Sequence, residues 1–583
     1  MRPQALKSLS CILGCTFLAI TLIFGVSNAQ KRGQKTFEVA DQPAKAVETD
    51  IPGPRFFQWQ TVANNGFTIP GTGNTKFSSY GQPSVNFDGS VVFRARSTGG
   101  QRATGIYYRT SLNSPIITIA DLQTEVPYPN NLNSKFREFS AFPRIAPNSL
   151  LMATLGLHQP VYRFILPDGT ETRSGTNGIY VKFGTDQLVT GASKLGNVPD
   201  FEFYGVPGFK QLVFDVFPGA PSITDDGDIV FKANYTVDGV GKTGIFFRRL
   251  LSSQAGGFAS VEMIASSDTE IPGLPPSAFA PAVFDSTSPP SAFGDRAVFL
   301  GLDNEDDPHA GGIYHAFIKA NADLNPVVEI GKPVDGLKMP PLTRIGEALA
   351  FDGRFVYFWA AWGDEWNTIR LNCPVDGNAE IRNFCNGVDP KSIYDPNTDS
   401  WYQYGRVPGN QGIFVYDLWT RTGYLAVDNS GYIKDFVYWT YSGHVPAPDE
   451  PDAEPPRWRS TAFVAGDNGW VVFKGRISEL TGNKEYINPM DGLYMANPMV
   501  GDPLKTIIET GMDGALIDPS IPEAYRGTLP ILGFGLEREA FRGNMLAITA
   551  TMGNEEFSWG GIYLTNVGPN RTGGPIDTVR DHK

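Results

Sequence analysis

Three residues within six positions could abstract a proton beside a carboxyl group. In His158-Gln-Pro-Val-Tyr162-Arg163, a His or Tyr base stands next to an Arg that would neutralise a carboxylate. That is the chemistry of a uronate lyase; a plain surface loop is the alternative reading of the same six residues. A second constellation surrounds Asp364 and Glu365, which lie between Trp362 and Trp366. Paired carboxylates would serve glycoside hydrolysis. Carboxylates beside aromatic rings also suit sugar binding, because a sugar stacks its apolar face and hydrogen-bonds at its rim. Seven of the ten Trp residues fall between 359 and 458, and Trp401, Tyr402, Trp439, Tyr441 and His444 complete the expected ligand face with the four residues above. The competing account has these aromatics packing long loops onto the scaffold, with Trp359 and Trp419 expected to pack in either case.

Cys373 and Cys385 are the two cysteines outside the N-terminal apolar segment, and they are expected to pair as a disulfide. No His lies near them, and their spacing departs from the common zinc motifs. The run Asp303-Asn304-Glu305-Asp306-Asp307 offers oxygen ligands for Ca²⁺, or else a solvated loop. No other cofactor is indicated. There is no Gly-x-Ser-x-Gly elbow, His-Glu-x-x-His or phosphate-binding loop in the sequence.

A repeat must position these groups. Its first copy runs PSVNF (83–87), Asp88-Gly89, VVFRA (91–95), GIYYR (105–109) and IITIA (116–120). Asp-Gly between apolar runs marks a tight hairpin, and the β-branched and aromatic content suits strands. The order returns seven times, ending in GIYLTNV at 561–567. The last unit lacks a fourth strand, and FFQWQTVAN (56–64), ahead of the first unit, reads like the missing one. The sequence therefore predicts an all-β, seven-bladed β-propeller over 56–567, closed by an N-terminal strand that completes the last blade. An open solenoid is the rival, but it gives a displaced terminal strand no purpose. The connections from second to third strand and from fourth to the next first strand are the long ones, above all 361–411 and 429–460. They are expected to form one elaborated face on blades five and six.

The repeat resembles a tandem-repeat family of exported bacterial proteins with an Asn-x-x-Gly-x-x-x-aromatic signature. Asn86, Gly89 and Phe93 match it; Thr224 precedes Gly227 and Phe231, and Gly466 precedes Gly469 and Phe473. The resemblance implies export and a propeller-like fold, and supplies no catalytic residue.

Residues 1–29 read as a secretory signal, with Arg2 and Lys7 ahead of the apolar stretch Cys11–Val26 and small residues at Ser27 and Ala29. A linker at 30–55 and a polar tail at 568–583 flank the repeats. The apolar stretch is shorter than the ~20 residues of a spanning helix. A secreted, periplasmic or extracellular protein without a membrane anchor is expected. A formal charge of −13 over 583 residues argues against nucleic acid as a partner. The first expectation is a non-catalytic module that binds an extracellular glycan or protein through the blade five–six face. A polysaccharide-cleaving enzyme, lyase before hydrolase, is the second, and a structural envelope or matrix component the third.

Overall fold

The computed structural model describes residues 57–97, 103–184, 187–250, 259–274, 282–446 and 455–568. The expected signal, linker and most of the tail lie outside them. The described residues divide into two compact units. The smaller holds 372–403 and 440–459, and the larger holds the rest. Most of the smaller unit falls within the long connections 361–411 and 429–460.

The larger unit is all-β. Among the described residues its strands form, in chain order, seven antiparallel sheets of four or more strands, with the two-stranded ribbon Tyr162–Ile165/Glu171–Ser174 besides. In the first sheet, Val91–Arg96, Thr104–Arg109 and Ile117–Asp121 follow the expected second, third and fourth strands. The expected first strand is broken. Ser79–Tyr80 and Ser84–Val85 pair separately with the second strand. The fourth, fifth and last sheets repeat the break, as does the second, where Phe136–Phe139 and Arg144–Ile145 share Leu151–His158. In the first, second and fourth sheets Pro83, Pro143 and Pro290 each stand just before an inner piece. A proline has no N–H to give to the ladder, so pairing stops there and resumes beyond it.

The turn between first and second strands explains the Asn and Gly of the repeat. The side-chain oxygen of Asn86 accepts the N–H groups of Asp88 (3.1 Å) and Ser90 (2.8 Å), and Gly89 sits at φ +77°. Thr224 does the same more weakly for Asp228 at 3.2 Å, which is why it can replace Asn. The Gly-Ile/Leu-aromatic triplet is a packing device. A Cβ on Gly492 would come within 2.3 Å of the Tyr494 ring, and one on Gly105 within 2.7 Å of the Tyr107 hydroxyl. In both, the aromatic folds back over the glycine two residues earlier. The pairing register also slips between the Ile or Leu and its aromatic, at Ile106/Tyr107, Ile179/Tyr180, Ile245/Phe246, Ile313/Tyr314, Ile413/Phe414 and Leu493/Tyr494. This is a β-bulge built into every unit.

The N-terminal strand obeys the same rule. Gln60–Asn64 pairs antiparallel with Ser558–Asn566, and the register shifts between Thr61 and Ala63, opposite Ile562 and Tyr563. Asp518, fully buried, fastens the two together. It accepts hydrogen bonds from Thr61 (3.2 Å) and Asn64 (2.8 Å) on one strand, and from Trp559 (2.8 Å) and Tyr563 (2.9 Å) on the other. Burial works to raise its pKa, but these bonds and those from Ser520 outweigh it, so the carboxyl stays below its ordinary value.

The inner pieces touch in a cyclic order: Ser84–Val85, Arg144–Ile145, Ser222–Ile223, Ser291–Phe293, Ala350–Phe351, Val464–Asp467, Phe541–Arg542 and back to the first. Apolar clusters fill the spaces between neighbouring sheets; one joins Phe93 and Tyr107 to Ala547 and Ile562. Segment 537–542 of the last sheet reaches most of the others. Glu537 takes Arg144 at 2.6 Å and Glu539 takes Ser222 at 2.9 Å. Arg538 donates to the Ala220 carbonyl at 2.8 Å, and Arg542 donates to those of Gly466 (3.0 Å) and Phe351 (2.9 Å).

Two expectations about long connections need correcting. Stretch 361–411 is largely strand: Phe355–Asn372 and Ser400–Asp417 extend sheet five well past its neighbours. In sheet three, Asp228–Val237 and Val240–Arg249 are joined by the tight turn at Asp238-Gly239, both at positive φ.

The smaller unit is built around the Cys373–Cys385 disulfide, which forms as expected. Its core is Cys373, Cys385 and Tyr441, lined by Ile381, Phe384, Trp401 and Trp458. Asp389 accepts the Tyr441 hydroxyl at 2.8 Å and the Gln403 amide at 2.9 Å. Two of the three fully buried side chains in that core are the half-cystines, and the unit's α-helix spans only Ala379–Asn383. So little apolar burial cannot hold a unit of this size by itself. Replacing both cysteines by serine should cost the smaller unit about 3 kcal/mol while leaving the larger unit's melting temperature unchanged. Hydrogen exchange resolved over 372–403 and 440–459 checks this, with protection lost there and kept elsewhere.

Candidate functional site

The expected ligand residues are divided between the two units. Trp401, Tyr402, Tyr441 and His444 belong to the smaller unit, and Trp362, Asp364, Glu365, Trp366 and Trp439 to the larger. Trp401 lines, and Tyr441 belongs to, the core around the disulfide. Tyr402 is half-buried opposite Ile393, and His444 is half-buried as well. For Trp401 and Tyr441 the packing account describes the surroundings.

In the larger unit the extended hairpin gathers a surface patch. Its strands carry Trp366 on Phe355–Asn372 and Arg406 on Ser400–Asp417. The hairpin is kept close by Gly409, where a Cβ would lie 2.7 Å from that of Glu365, and bent at Gly363, with φ +72°. The Arg406 guanidinium sits 4.9 Å from the Trp366 ring centre and that of Arg344 5.3 Å. Cation–π contact orients all three groups. Arg344 donates to Asp307 at 2.7 Å, and His309 stands 3.8 Å from the same carboxylate. The Arg344 hydrogen bond and charge hold the Asp307 carboxyl below its ordinary pKa. Asp364 and Glu365 are exposed on the same hairpin, and Tyr404, half-exposed, carries the Lys484 ammonium 5.1 Å above its ring. Trp362 is half-buried, edge-on to Phe414 at 5.8 Å, and Trp439 is half-buried too. Trp359 packs as expected, donating its N–H to Gln411 at 3.0 Å. Trp419 does not pack: it is 70% exposed, with the Arg354 guanidinium 4.4 Å above it.

The acidic run 303–307 folds as a turn. Asn304 accepts the N–H groups of Asp306 and Asp307, and Asp303 those of His309 and Ala310. Among the described residues no three metal-capable side chains gather.

His158, Tyr162 and Arg163 do not converge. His158 ends a strand rather than lying in a loop, and is 5% exposed. Its Nδ1 donates to the Gln159 carbonyl at 2.7 Å, so Nε2 accepts from the Tyr180 hydroxyl. No nitrogen is left to serve as a base. Tyr162 packs on Phe201 at 4.9 Å, and Arg163 points to solvent with Glu171 at 3.9 Å. Consecutive strand residues face opposite ways.

Burial pushes the His158 imidazole down to about 4. The unfolded chain binds that proton near 6.5, so the fold holds the neutral ring. Its contribution is full above pH 6.5 and is lost as pH falls through 4, for about 3 kcal/mol in all. Melting curves between pH 7 and 4 should fall more steeply for the native chain than for His158→Gln. Equal slopes would assign the acid sensitivity elsewhere.

Sequence reasoning missed a second cluster, between sheets five and six. Asp435 is buried and accepts from Gln411 (2.9 Å), Tyr486 (2.5 Å) and the Val437 N–H (3.0 Å). Arg476 bridges it (3.7 Å) to Asp491 (3.1 Å), and the Lys474 ammonium lies 3.7 Å from Asp491 and 4.0 Å from the Tyr438 ring centre. Burial raises the Asp435 pKa and lowers that of Lys474. Two cations face two carboxylates here, so the cluster is charge-balanced. It ties the chain entering sheet six to its second and third strands. The Lys-Gly-Arg at 474–476 was its trace in the sequence.

No family model matches the chain, and no curated protein matches it. Among solved structures, the β-propeller domain of the Trilobed protease from Pyrococcus furiosus is similar at 11% identity and TM-score 0.35, over 85% of this chain and 100% of that one. The polysaccharide lyase Uly1 aligns at 11% and 0.27, over 50% of this chain and 56% of that one. A Trypanosoma rangeli sialidase aligns at 10% and 0.28, over 76% and 57%. At these scores they locate no residue and assign no activity here. Among the described residues no helix is long and apolar enough to cross a membrane.

Proposed function

We propose that the larger unit is a seven-bladed β-propeller, closed by Gln60–Asn64 in its last blade, and that it binds an extracellular glycan through the hairpin of blade five. Closure is supported by the cyclic order of the inner strands and by the bulge that Gln60–Asn64 shares with the fourth strands. Export is supported by the disulfide, by the reading of residues 1–29 and by the resemblance of the repeat.

The observation that carries glycan binding is the arrangement around Trp366. An indole is fixed by two guanidiniums, with the exposed carboxylates of Asp364 and Glu365 on the same rigid hairpin. Arg and carboxylate pairs hydrogen-bond sugar hydroxyls, and the aromatic edge covers the apolar face. Both charge signs are present, which suits a neutral glycan better than a polyanion. Titration calorimetry against neutral and acidic polysaccharides tests this, and Trp366→Ala should weaken the binding found by about tenfold or more. Binding untouched by that change would remove the hairpin from the account.

A further inference from the structure

Phe317, Trp419 and Val500 are 43%, 70% and 69% exposed. Each stands at or just past the end of a third strand, Gly311–Phe317, Ser400–Asp417 or Asp491–Asn497, in sheets four, five and six. These strand ends share one end of the larger unit, because the turns beside them are stitched together. A Cβ on Gly353 of sheet five would come 2.7 Å from the Phe293 ring of sheet four. Asp352 of sheet five accepts the Asn468 N–H of sheet six at 2.7 Å. Phe317 pairs with Arg296 beside the first of these turns, the Leu418 N–H reaches the Arg354 carbonyl at 3.0 Å, and a Cβ on Gly469 would meet Met499. Cations fix the rings in place. The Arg354 guanidinium, gripped by both oxygens of Asp417 (3.0 and 2.5 Å), lies 4.4 Å from the Trp419 ring centre. Arg296 and Lys319 lie 5.0 and 5.9 Å from the Phe317 ring centre.

We propose that this end of sheets four to six rests on a phospholipid surface, with Phe317, Trp419 and Val500 among the headgroups and Lys319 and Arg421 on lipid phosphates. Exposed apolar side chains gathered at one end of a protein mark a contact surface. Rings rimmed by cations suit the bilayer interface, where Trp settles at headgroup level and Lys or Arg pairs with phosphate. The charges agree. Asp417 is spent on Arg354, exposed Asp295 lies 3.8 Å from Arg296, and Asp352 is occupied by four donors. Among the described residues Lys319 and Arg421 are exposed without a carboxylate partner, which leaves two free cations against Asp323 in these turns. The chain also enters the unit from this side. Gly543 of sheet seven donates its N–H to Asp467 of sheet six at 3.0 Å. Met545 close by pairs with Asn566, and Gln60 pairs with Leu564, so Gln60–Asn64 begins at the same end. Residues 1–56, with the apolar stretch Cys11–Val26, join the unit there. The Trp366 patch, at the opposite end of sheet five, is left clear of the lipid.

The test is flotation of the mature protein, residues 30–583, which lacks the apolar stretch. It should float with vesicles of phosphatidylcholine and phosphatidylglycerol, and less with phosphatidylcholine alone. Trp419→Ala should weaken the partition about tenfold. Lys319→Glu and Arg421→Glu together should remove the preference for the mixed vesicles. All three side chains are exposed, so an unchanged melting temperature is expected and shows that the variants are folded. Protein that floats with neither vesicle overturns the proposal. So does flotation that Trp419→Ala leaves unchanged. Self-association that Trp419→Ala abolishes, in protein that does not float, would give the face to a second copy and overturns it as well.

Discussion

Asp518→Ala should lower the stability of the larger unit by about 3–5 kcal/mol and free the N-terminal strand. The carboxylate is buried, and its loss leaves the donors of Trp559 and Tyr563 without an acceptor and Asn64 with Ser520 alone. Desolvation makes each such orphan expensive. Because two of the partners lie on Gln60–Asn64 and two on Ser558–Asn566, the damage should concentrate at that seam. Hydrogen exchange at residues 60–64 should approach that of an open strand before the rest of the unit melts. Asp518→Asn keeps one acceptor oxygen and should lose less. A variant that melts as one body with protection at 60–64 intact would show that the strand is held by the ladder alone.

Arg144→Ala should be comparably severe, again about 3–5 kcal/mol, by leaving one side of a buried ion pair. Glu537 and Glu539 would then lose the closer of their compensating cations and keep Arg538 alone, and Glu537 would take up a proton. Burial raises its pKa and Arg144, the largest opposing influence, keeps it below the ordinary carboxylate value. Removing Arg144 reverses that balance, so the variant should recover part of its stability as pH falls towards 5. The native protein should not gain in that range, since its carboxylate stays ionised. Thermal unfolding of both proteins across pH 5–8 reads the difference in slope. Parallel curves would mean that Arg144 is not what keeps Glu537 charged.

Both predictions rest on contacts that no reading of the chain could supply. Asn64 and Asp518 are 454 positions apart, and Arg144 and Glu537 are 393 apart. The repeat was legible because its parts are local. Asn86 and Gly89 build their turn within four residues, and Gly492 makes room for Tyr494 two residues on. The displaced strand was legible for the same reason, since Gln60–Asn64 carries the pattern of a fourth strand and pairs as one. The disulfide followed from there being two cysteines outside the N-terminal apolar segment.

The site was less legible. His158, Tyr162 and Arg163 are near in sequence, but a strand end and strand alternation send them to a buried pocket, a ring stack and solvent. The density of Trp from 359 to 458 marked a real feature and merged two. Part of it cores the smaller unit, and part decorates the hairpin of sheet five. A strand that runs on for 18 residues looked like a loop, because the bend at Gly363 and the polar residues after it interrupt the apolar alternation. Arg344 and Arg406, which give the hairpin patch its character, come from separate strands and had no motif to reveal them.

The most direct measurement compares glycan binding by the native protein, Trp366→Ala, Arg406→Ala and Trp419→Ala on one polysaccharide panel. Trp419 is as exposed as a tryptophan can usefully be and lies by Arg354, at the opposite end of the same sheet from Trp366. The account predicts that Trp366→Ala and Arg406→Ala each weaken binding by about tenfold or more, while Trp419→Ala binds as the native protein does. Loss of binding in Trp419→Ala with the other two unchanged, or no glycan bound by any of the four, would contradict it.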